Sequence, residues 1–518
     1  MKAFTLTAAA LACAACFGAA RAANPMPCAD LVTLDLPDTI IDSAVEMPEG
    51  TPLSAITGSS NIAPTCTSDV AAATLRAFCR VQATVAPQIK IEVWLPLAGW
   101  NGKFQGYGNH GFAGDIDYTD LGPELNKGYA VAGTDTGHQG TGTAWMQNRQ
   151  QIIDYGSRGI HEMAVKAKSI IEAFYGAAPK YSYFNGCSTG GKEGLMAAQR
   201  YPEDFDGINI GGSANFDQIG NRVQYVWNGQ VTFGRGVPIS GATLTLINNA
   251  VLAACDGIDG IQDGVLDDPR ECNWQPSSLA CQPGQASGCL TPLQVDALQK
   301  VYQGPRNPRT GAEIYPGLVR GSERGWSGHT AGPNIFATAD QFFKFMVYND
   351  PTWDYRTFNF DSHFTDTKEE FAPLIDAVDP NLDAFRKRGG KLLFSHLWSS
   401  TTHAATKSIQ YYEEVARRLH GGDNDRGYPF GKTQEFFRLF MVPSASGSKG
   451  PDRFDALPLL ERWVEQGIPP KSILAVHKTA GVVDRTRIVC PYPQRAVYTG
   501  VGSTDDAANF VCRNRGNQ

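Results

Sequence analysis

One stretch constrains this chain more than any other. It runs from Lys180 to Pro202, KYSYFNGCSTGGKEGLMAAQRYP. Tyr181, Tyr183 and Phe184 are strand formers, and Leu195, Met196 and Ala198 begin an apolar helix face. Between them, Gly186-Cys187-Ser188-Thr189-Gly190 fits the G-x-S-x-G nucleophile elbow. The elbow needs glycine on both sides, because the serine backbone is strained and its neighbours approach closely. That strain would lift the Ser188 hydroxyl to the sheet edge as a nucleophile. The next backbone N–H, of Thr189, would point where an oxyanion forms. The competing reading of the same residues is a glycine-rich strand-to-helix turn with an incidental serine.

The neighbouring sequence supports an α/β class. Ile89 to Pro96 alternates like a strand, and Lys103 to Gly114 is a short strand run dissolving into glycines. Such a glycine loop supplies a second oxyanion donor in elbow-type hydrolases. His110 interrupts it and reads as a surface loop histidine. Tyr129 to Ala132 is a buried strand pattern. Ile160, Met163, Ala164, Ala167, Ile170, Ile171 and Phe174 recur at helical spacing, with Gly176 as the stop. His161 beside that face reads as a packed helix residue. Strand, helix, strand-elbow, helix is the α/β rhythm.

That rhythm lapses from about 216 to 385, where turns, cysteines and aromatics accumulate. This segment reads as an inserted lid, its aromatics mostly the lid's own core and one or two lining a site for an aromatic group. Strand and helix patterns resume at Lys391–Phe394, Ile409–Leu419, Phe436–Val442 and Leu457–Val464. The expected organisation is an α/β core over 24–215 and 386–518 with the lid at 216–385.

Residues 1–22 have the form of a secretory signal: Lys2, an apolar Phe4–Ala20 run, then Ala20-Arg21-Ala22. Cys13 and Cys16 raise a lipoprotein anchor as the lesser alternative. Export implies a secreted or periplasmic protein, with no membrane span expected after the signal. The formal charge of -7 argues against nucleic acid as a partner. Of twelve cysteines, ten lie beyond residue 22, and an even set in an exported chain suggests disulfides. Cys255–Cys272, Cys281–Cys289 and Cys490–Cys512 are the local pairs, and Cys28–Cys79 is the expected longer one. Cys66 and Cys187 remain, with no pairing that sequence can assign.

Within the lid, CDGIDGIQDGVLDD (255–268) has the look of a calcium loop. Asp256, Asp259 and Asp263 offer hard carboxylate oxygens in a tight glycine-rich run, and the carbonyls of Ile261 and Val265 could complete the shell. A solvated acidic turn is the plainer alternative. No organic cofactor is expected.

Several stretches together resemble the tannase and feruloyl esterase family, which includes the hydrolase of mono(2-hydroxyethyl) terephthalate. They are GCSTGGKEGLMAAQRYPEDFDGI, GTDTGHQG, the HEMAVKAK helix, DGIDGIQDGVLDDP, RLFMVP, DRFDALPLLERWVE and CPYPQRAVYTG. The resemblance implies an α/β-hydrolase fold, a lid that binds the aromatic acid, a lid calcium site and serine esterase chemistry on small aromatic esters. It also implies a triad in the order Ser, Asp, His, and here the chain departs from the pattern. Ser188 matches the nucleophile. Ser400 stands where the acid is expected. The base run is Ser444–Gly450, with Gly447 near the expected position, and it holds no histidine. The cysteine that the family pairs with Cys187 is absent from the same run. His403 is the first histidine to consider as a replacement base, with His396 and His110 behind it. Two readings follow: an esterase of reduced activity, or an inactive homologue that binds an aromatic ligand without turnover.

Overall fold

The structure is a computed structural model and describes residues 24–57, 73–419, 430–444 and 450–514. The signal-like segment and Cys66 therefore lie outside the described residues.

Nine strands form one sheet: β1 (Thr39–Met47), β2 (Phe78–Val85), β3 (Ile89–Pro96), β4 (Lys103–Tyr107), β5 (Ala130–Thr134), β6 (Tyr181–Ser188), β7 (Gly207–Ala214), β8 (Lys391–Leu397) and β9 (Phe437–Val442). Their spatial order is β1-β2-β3-β5-β4-β6-β7-β8-β9. The β1–β2, β2–β3 and β3–β5 pairs are antiparallel, and all later pairs are parallel. The swap of β4 and β5 and the parallel run from β5 to β9 are the α/β-hydrolase arrangement. The antiparallel entry strands β1 and β2 were not foreseen from the sequence.

Helices cover the faces. α1 (Tyr118–Asn126) leads into β5; α2 (Gly159–Tyr175) precedes β6, and α3 (Thr189–Arg200) follows it directly. α2 buries Ile160, Met163, Ala164, Ala167, Ile170 and Ile171, the stripe that its sequence spacing predicts. Each aliphatic side chain so removed from water contributes about 1.5–3 kcal/mol. Gly176 ends the helix at φ 71°, a conformation that suits glycine. His161 bonds Asp204 and stacks on Tyr201, as a packed helix residue.

Between β7 and β8 the chain adds no strand to the sheet. It forms α4 (Gln218–Val231), α5 (Gly241–Cys255), α6 (Pro292–Gln303) and α7 (Ser362–Ile375), with long turns. Two apolar clusters hold this region. One gathers Phe342, Phe343, Trp353, Phe358 and Phe360 with Trp145 and Tyr155 of the core, and the other gathers Trp274 and Trp326 with α5 and α6 residues. The helical stretch Gly241–Asp259 is long and apolar enough to cross a membrane by length and composition. Here its Leu244, Ile247 and Val251 are buried in the second cluster. α8 (Ala405–Leu419) lies between β8 and β9; beyond β9, α9 (Leu457–Gln466) precedes two closing hairpins, Ile473–Val489 and Arg495–Arg513.

The four expected disulfides, Cys28–Cys79, Cys255–Cys272, Cys281–Cys289 and Cys490–Cys512, are all present. Cys187 is also disulfide-bonded, so it is not a free thiol.

Candidate active site

The sharp turn after β6 is enforced by backbone contact. Ser188 has φ 54° and ψ −119°, a region nearly closed to side-chain-bearing residues. A Cβ on Gly186 would sit 2.6 Å from the Gly190 carbonyl group, and one on Gly191 would sit 2.5 Å from the Ala214 Cβ. The β6–β7 register slips between Cys187 and Ser188, which frees the serine from the ladder. Ser188 is half-exposed, and among the described residues no side chain bonds its hydroxyl. Thr189 opens α3, so its N–H has no partner within the helix.

The glycine loop after β4 is fastened to this elbow. Gly190 N–H donates to the Asn109 carbonyl at 2.7 Å, and the Thr189 hydroxyl donates to the Gly111 carbonyl at 2.5 Å. Asn109 N–H donates to Glu193 at 2.9 Å, and its side-chain amide donates to the carbonyls of Asp115 and Thr134. Glu193 is buried, and burial raises its pKa. Beside it Lys192 is fully buried and donates to the Tyr155 carbonyl at 2.6 Å; burial brings its pKa down to about 8. These two buried charged residues anchor the loop and the elbow from below.

His110 lies in that loop. Its Nδ1 is 4.0 Å from Cys187 Sγ, and its Nε2 is 3.4 Å from Asp117 Oδ2. Asp117 caps α1, its Oδ1 accepting from the Thr119 amide at 3.1 Å and hydroxyl at 2.6 Å. Burial alone would lower the His110 pKa. Asp117, with Asp120 and Glu193 behind it, outweighs burial and holds it above the ordinary imidazole value. Sequence reading took His110 as a surface loop residue and ranked it behind His403 as a replacement base. Asp117 was missed altogether, although D-Y-T-D before an apolar run is a helix-start signal.

The loops that follow β8 and β9 meet where an acid and a base would meet. Trp398 N–H donates to the Val442 carbonyl, and the Ser399 and Ser444 hydroxyls are 2.8 Å apart. Ser400 accepts from the His403 N–H at 3.4 Å and forms a turn; it brings no carboxylate. Gly447 lies outside the described residues. His403 is buried, and its Nδ1 faces the Thr402 hydroxyl at 3.2 Å. Burial first, then His396, Arg222 and His329, push its pKa down to about 3. Its ring touches no carboxylate among the described residues. His396 bonds Ser408 at 2.7 Å within the core.

A strained serine at a strand-to-helix elbow, in a sheet of this order, defines the α/β-hydrolase fold. The chain belongs, more narrowly, to the tannase and feruloyl esterase family, whose model matches residues 72–513. An uncharacterized esterase of Xanthomonas campestris pv. campestris is 36% identical, over 94% of this chain and 91% of its own. A crystal structure of an esterase from Aspergillus oryzae superposes with a TM-score of 0.82 at 28% identity, covering 94% of this chain and 99% of the other. Feruloyl esterase B from the same organism gives 0.81 at 26%, covering 93% and 98%.

The acidic lid loop is tightly wound. Asp256 Oδ1 accepts from the amides of Asp263, Gly264 and Val265, and Asp259 Oδ1 accepts from Ile261 N–H. Asp263 pairs with Arg487 at 2.5 Å and with Arg485 at 3.4 Å, both from the first C-terminal hairpin. Asp267, absent from the sequence-based ligand set, is also buried here. Burial and then Asp259 raise its pKa to about 7, while burial and Asp263 are among the causes that raise Asp259 to about 6. Carboxylates crowded in this way fit a cation's demand for hard oxygen donors. The fit is incomplete, because the Asp256, Asp259 and Asp263 oxygens do not converge as the His110, Asp117 and Asp120 ligand atoms do, within 4.8 Å of one another.

Proposed function

We propose that this protein is an exported serine esterase acting on esters of aromatic carboxylic acids, slower than an enzyme with an intact triad. The observation that carries the proposal is Ser188 at φ 54° on the elbow, held against the glycine loop. The ester carbonyl would lie over Ser188, its developing oxyanion facing the Thr189 N–H and an amide of the Gly108–Gly111 loop. Ser188 would form the acyl-enzyme, and water would release the acid. The aromatic acyl group is supported by the family and by the aromatic residues that the lid shares with the core loop. Export is supported by the signal-like 1–22 and by the disulfides. A calcium ion held by Asp256, Asp259, Asp263 and the Ile261 and Val265 carbonyls would neutralise the lid loop and play no chemical part.

Loss of a triad member removes several orders of magnitude in rate, while the oxyanion hole and binding leave a residue. Turnover is therefore expected on the order of a thousandfold or more below an intact triad. The missing acid and base favour a second reading, a homologue that binds an aromatic ligand without turnover. Hydrolysis of a small activated aromatic ester by the wild type, lost in Ser188→Ala, separates the two. Vigorous turnover abolished by His403→Ala would instead assign the base to the acid loop.

A further inference from the structure

We propose that His110, oriented by Asp117, takes the proton from the Ser188 hydroxyl in place of the histidine that the run 444–450 lacks. The proposal rests on the esterase reading above and extends it to the base.

The loop that carries His110 is tied to the elbow on both sides of it. Asn109 accepts from the Gly190 amide, and Gly111 accepts from the Thr189 hydroxyl. A Cβ on Gly108 would sit 2.5 Å from Gly190 Cα, so the two backbones touch there as well. His110 is the residue between the two anchors. Its ring then reaches Cys187, with Nδ1 4.0 Å from the sulfur. Backbone contact at 189 and 190 and ring contact at 187 leave Ser188 between them. Cys187 is oxidised in a disulfide, so its sulfur has no proton to exchange and only weakly engages Nδ1. In the proposal that nitrogen engages the Ser188 hydroxyl, which no side chain among the described residues bonds. The opposite nitrogen, Nε2, faces Asp117 Oδ2 at 3.4 Å. Asp117 is fixed by its cap bonds to Thr119. Imidazole and fixed carboxylate thus stand in the order a serine hydrolase requires, on a loop bonded to the elbow that carries Ser188. They come from the glycine loop and the α1 cap instead of the loops after β8 and β9.

The proton balance closes without a further group. As Ser188 Oγ bonds the acyl carbon, Nδ1 takes the Oγ proton. Cleavage of the ester C–O bond passes that proton to the departing alcohol oxygen. Water then adds to the acyl-enzyme, gives its proton to Nδ1, and the acid leaves as the proton returns to Ser188 Oγ. Asp117 is the positioning residue for the imidazole.

The groups facing His110 are acidic on every side: Asp117 and Asp120 at the α1 start, Asp115 in the intervening loop, and Glu193 on α3. They keep the ring protonated to higher pH than a free imidazole. The base form, and with it the acylation rate, should therefore rise on the alkaline side.

The test is stoichiometric labelling of the full chain by an alkyl fluorophosphonate, followed by mass spectrometry against pH, with activated-ester turnover in parallel. The wild type should be labelled at Ser188, with a rate rising through one midpoint above the ordinary imidazole value. His110→Gln should slow labelling on the order of a hundredfold and flatten the profile. Added imidazole should restore part of the rate in His110→Ala, which a fold defect would not allow. Asp117→Asn should move the midpoint to lower pH, because it removes the charge that favours the imidazolium. Labelling of His110→Gln at the wild-type rate and profile, with Ser188→Ala unlabelled, would overturn the base role and leave the esterase reading standing. A profile flattened by His403→Ala instead would do the same. No labelling of the wild type at any pH would overturn both.

Discussion

The elbow and the two loops opposite it are parts of one site, yet the chain treats them differently. The elbow is specified by backbone contact: Gly186 and Gly191 touch neighbouring main chain or Cβ atoms, and Ser188 is forced to a positive φ. A side chain at either glycine would disturb the sheet itself. The loop after β8 is also bonded through its backbone, at Trp398, Thr401 and Thr402. Ser400 itself makes a turn with His403 N–H at 3.4 Å, a bond that does not depend on a carboxylate. Elbow geometry is thus tied to packing, while the side chain at position 400 is tied to one turn bond.

That difference can be sharpened by building the acid and base that the family resemblance expects. Ser400→Asp combined with a histidine-bearing loop in place of 444–450 should raise Ser188-dependent turnover on the order of a thousandfold. Stability should change little, since Ser400 lies in a turn after β8. Steady-state kinetics on one activated ester, with Ser188→Ala in the rebuilt background, checks it. A rebuilt chain and parent that both fail to turn over the ester would show that the elbow itself is not competent.

The converse is to break the intact half. Gly186→Val places a Cβ 2.6 Å from the Gly190 carbonyl group. It should cost about 3 kcal/mol or more by overpacking against main chain that cannot move aside. Urea unfolding of the variant against wild type measures this. A loss below 1 kcal/mol would mean that the elbow can relax.

The same contrast decides what was legible in the sequence. Glycine spacing and apolar periodicity are local, so the elbow, α2, β3 and the resumption at Lys391 could be read directly. The sheet's first two strands could not. Phe78–Val85 alternates in burial along its length, but its partner Thr39–Met47 lies far away in sequence and is mostly exposed. Partners that meet only through the fold were equally hidden. Asp117 reaches His110 across a loop, and Arg485 and Arg487 reach Asp263 from more than two hundred residues away. Cysteine neighbours paired as spacing suggests, whereas Cys187 is bonded and sequence could not say so.

The lid loop offers a smaller effect. Burial first, and then repulsion between its carboxylates, raises the pKa values of Asp259 and Asp267. If calcium neutralises them, a chelator should lower Tm by several degrees, the scale of about 1–2 kcal/mol in a large chain. Calcium in excess should reverse the loss. Differential scanning fluorimetry with chelator, then calcium, then magnesium reads it. An unchanged Tm together with no calcium by elemental analysis would leave only an acidic turn, held by Arg485 and Arg487.

The smallest effect is expected from Ser400→Asp alone, and it tests the argument most closely. A carboxylate in a triad fixes the tautomer of an imidazole and stabilises its charged form. At Ser400 there is no such imidazole to serve: the nearby His403 is buried beside Arg222, His329 and His396, with its pKa pushed down to about 3. The new carboxylate could still accept the His403 N–H that Ser400 accepts now. Stability should therefore stay within about 0.5 kcal/mol, as for most surface changes. Turnover should stay within about threefold of the parent, since one pKa unit is the least a true acid partner would confer. A rise of a hundredfold would mean that an imidazole lies within reach of position 400 and Ser188 together. Pairing Ser400→Asp with His403→Ala, and separately with His110→Gln, would then identify which ring gained the partner.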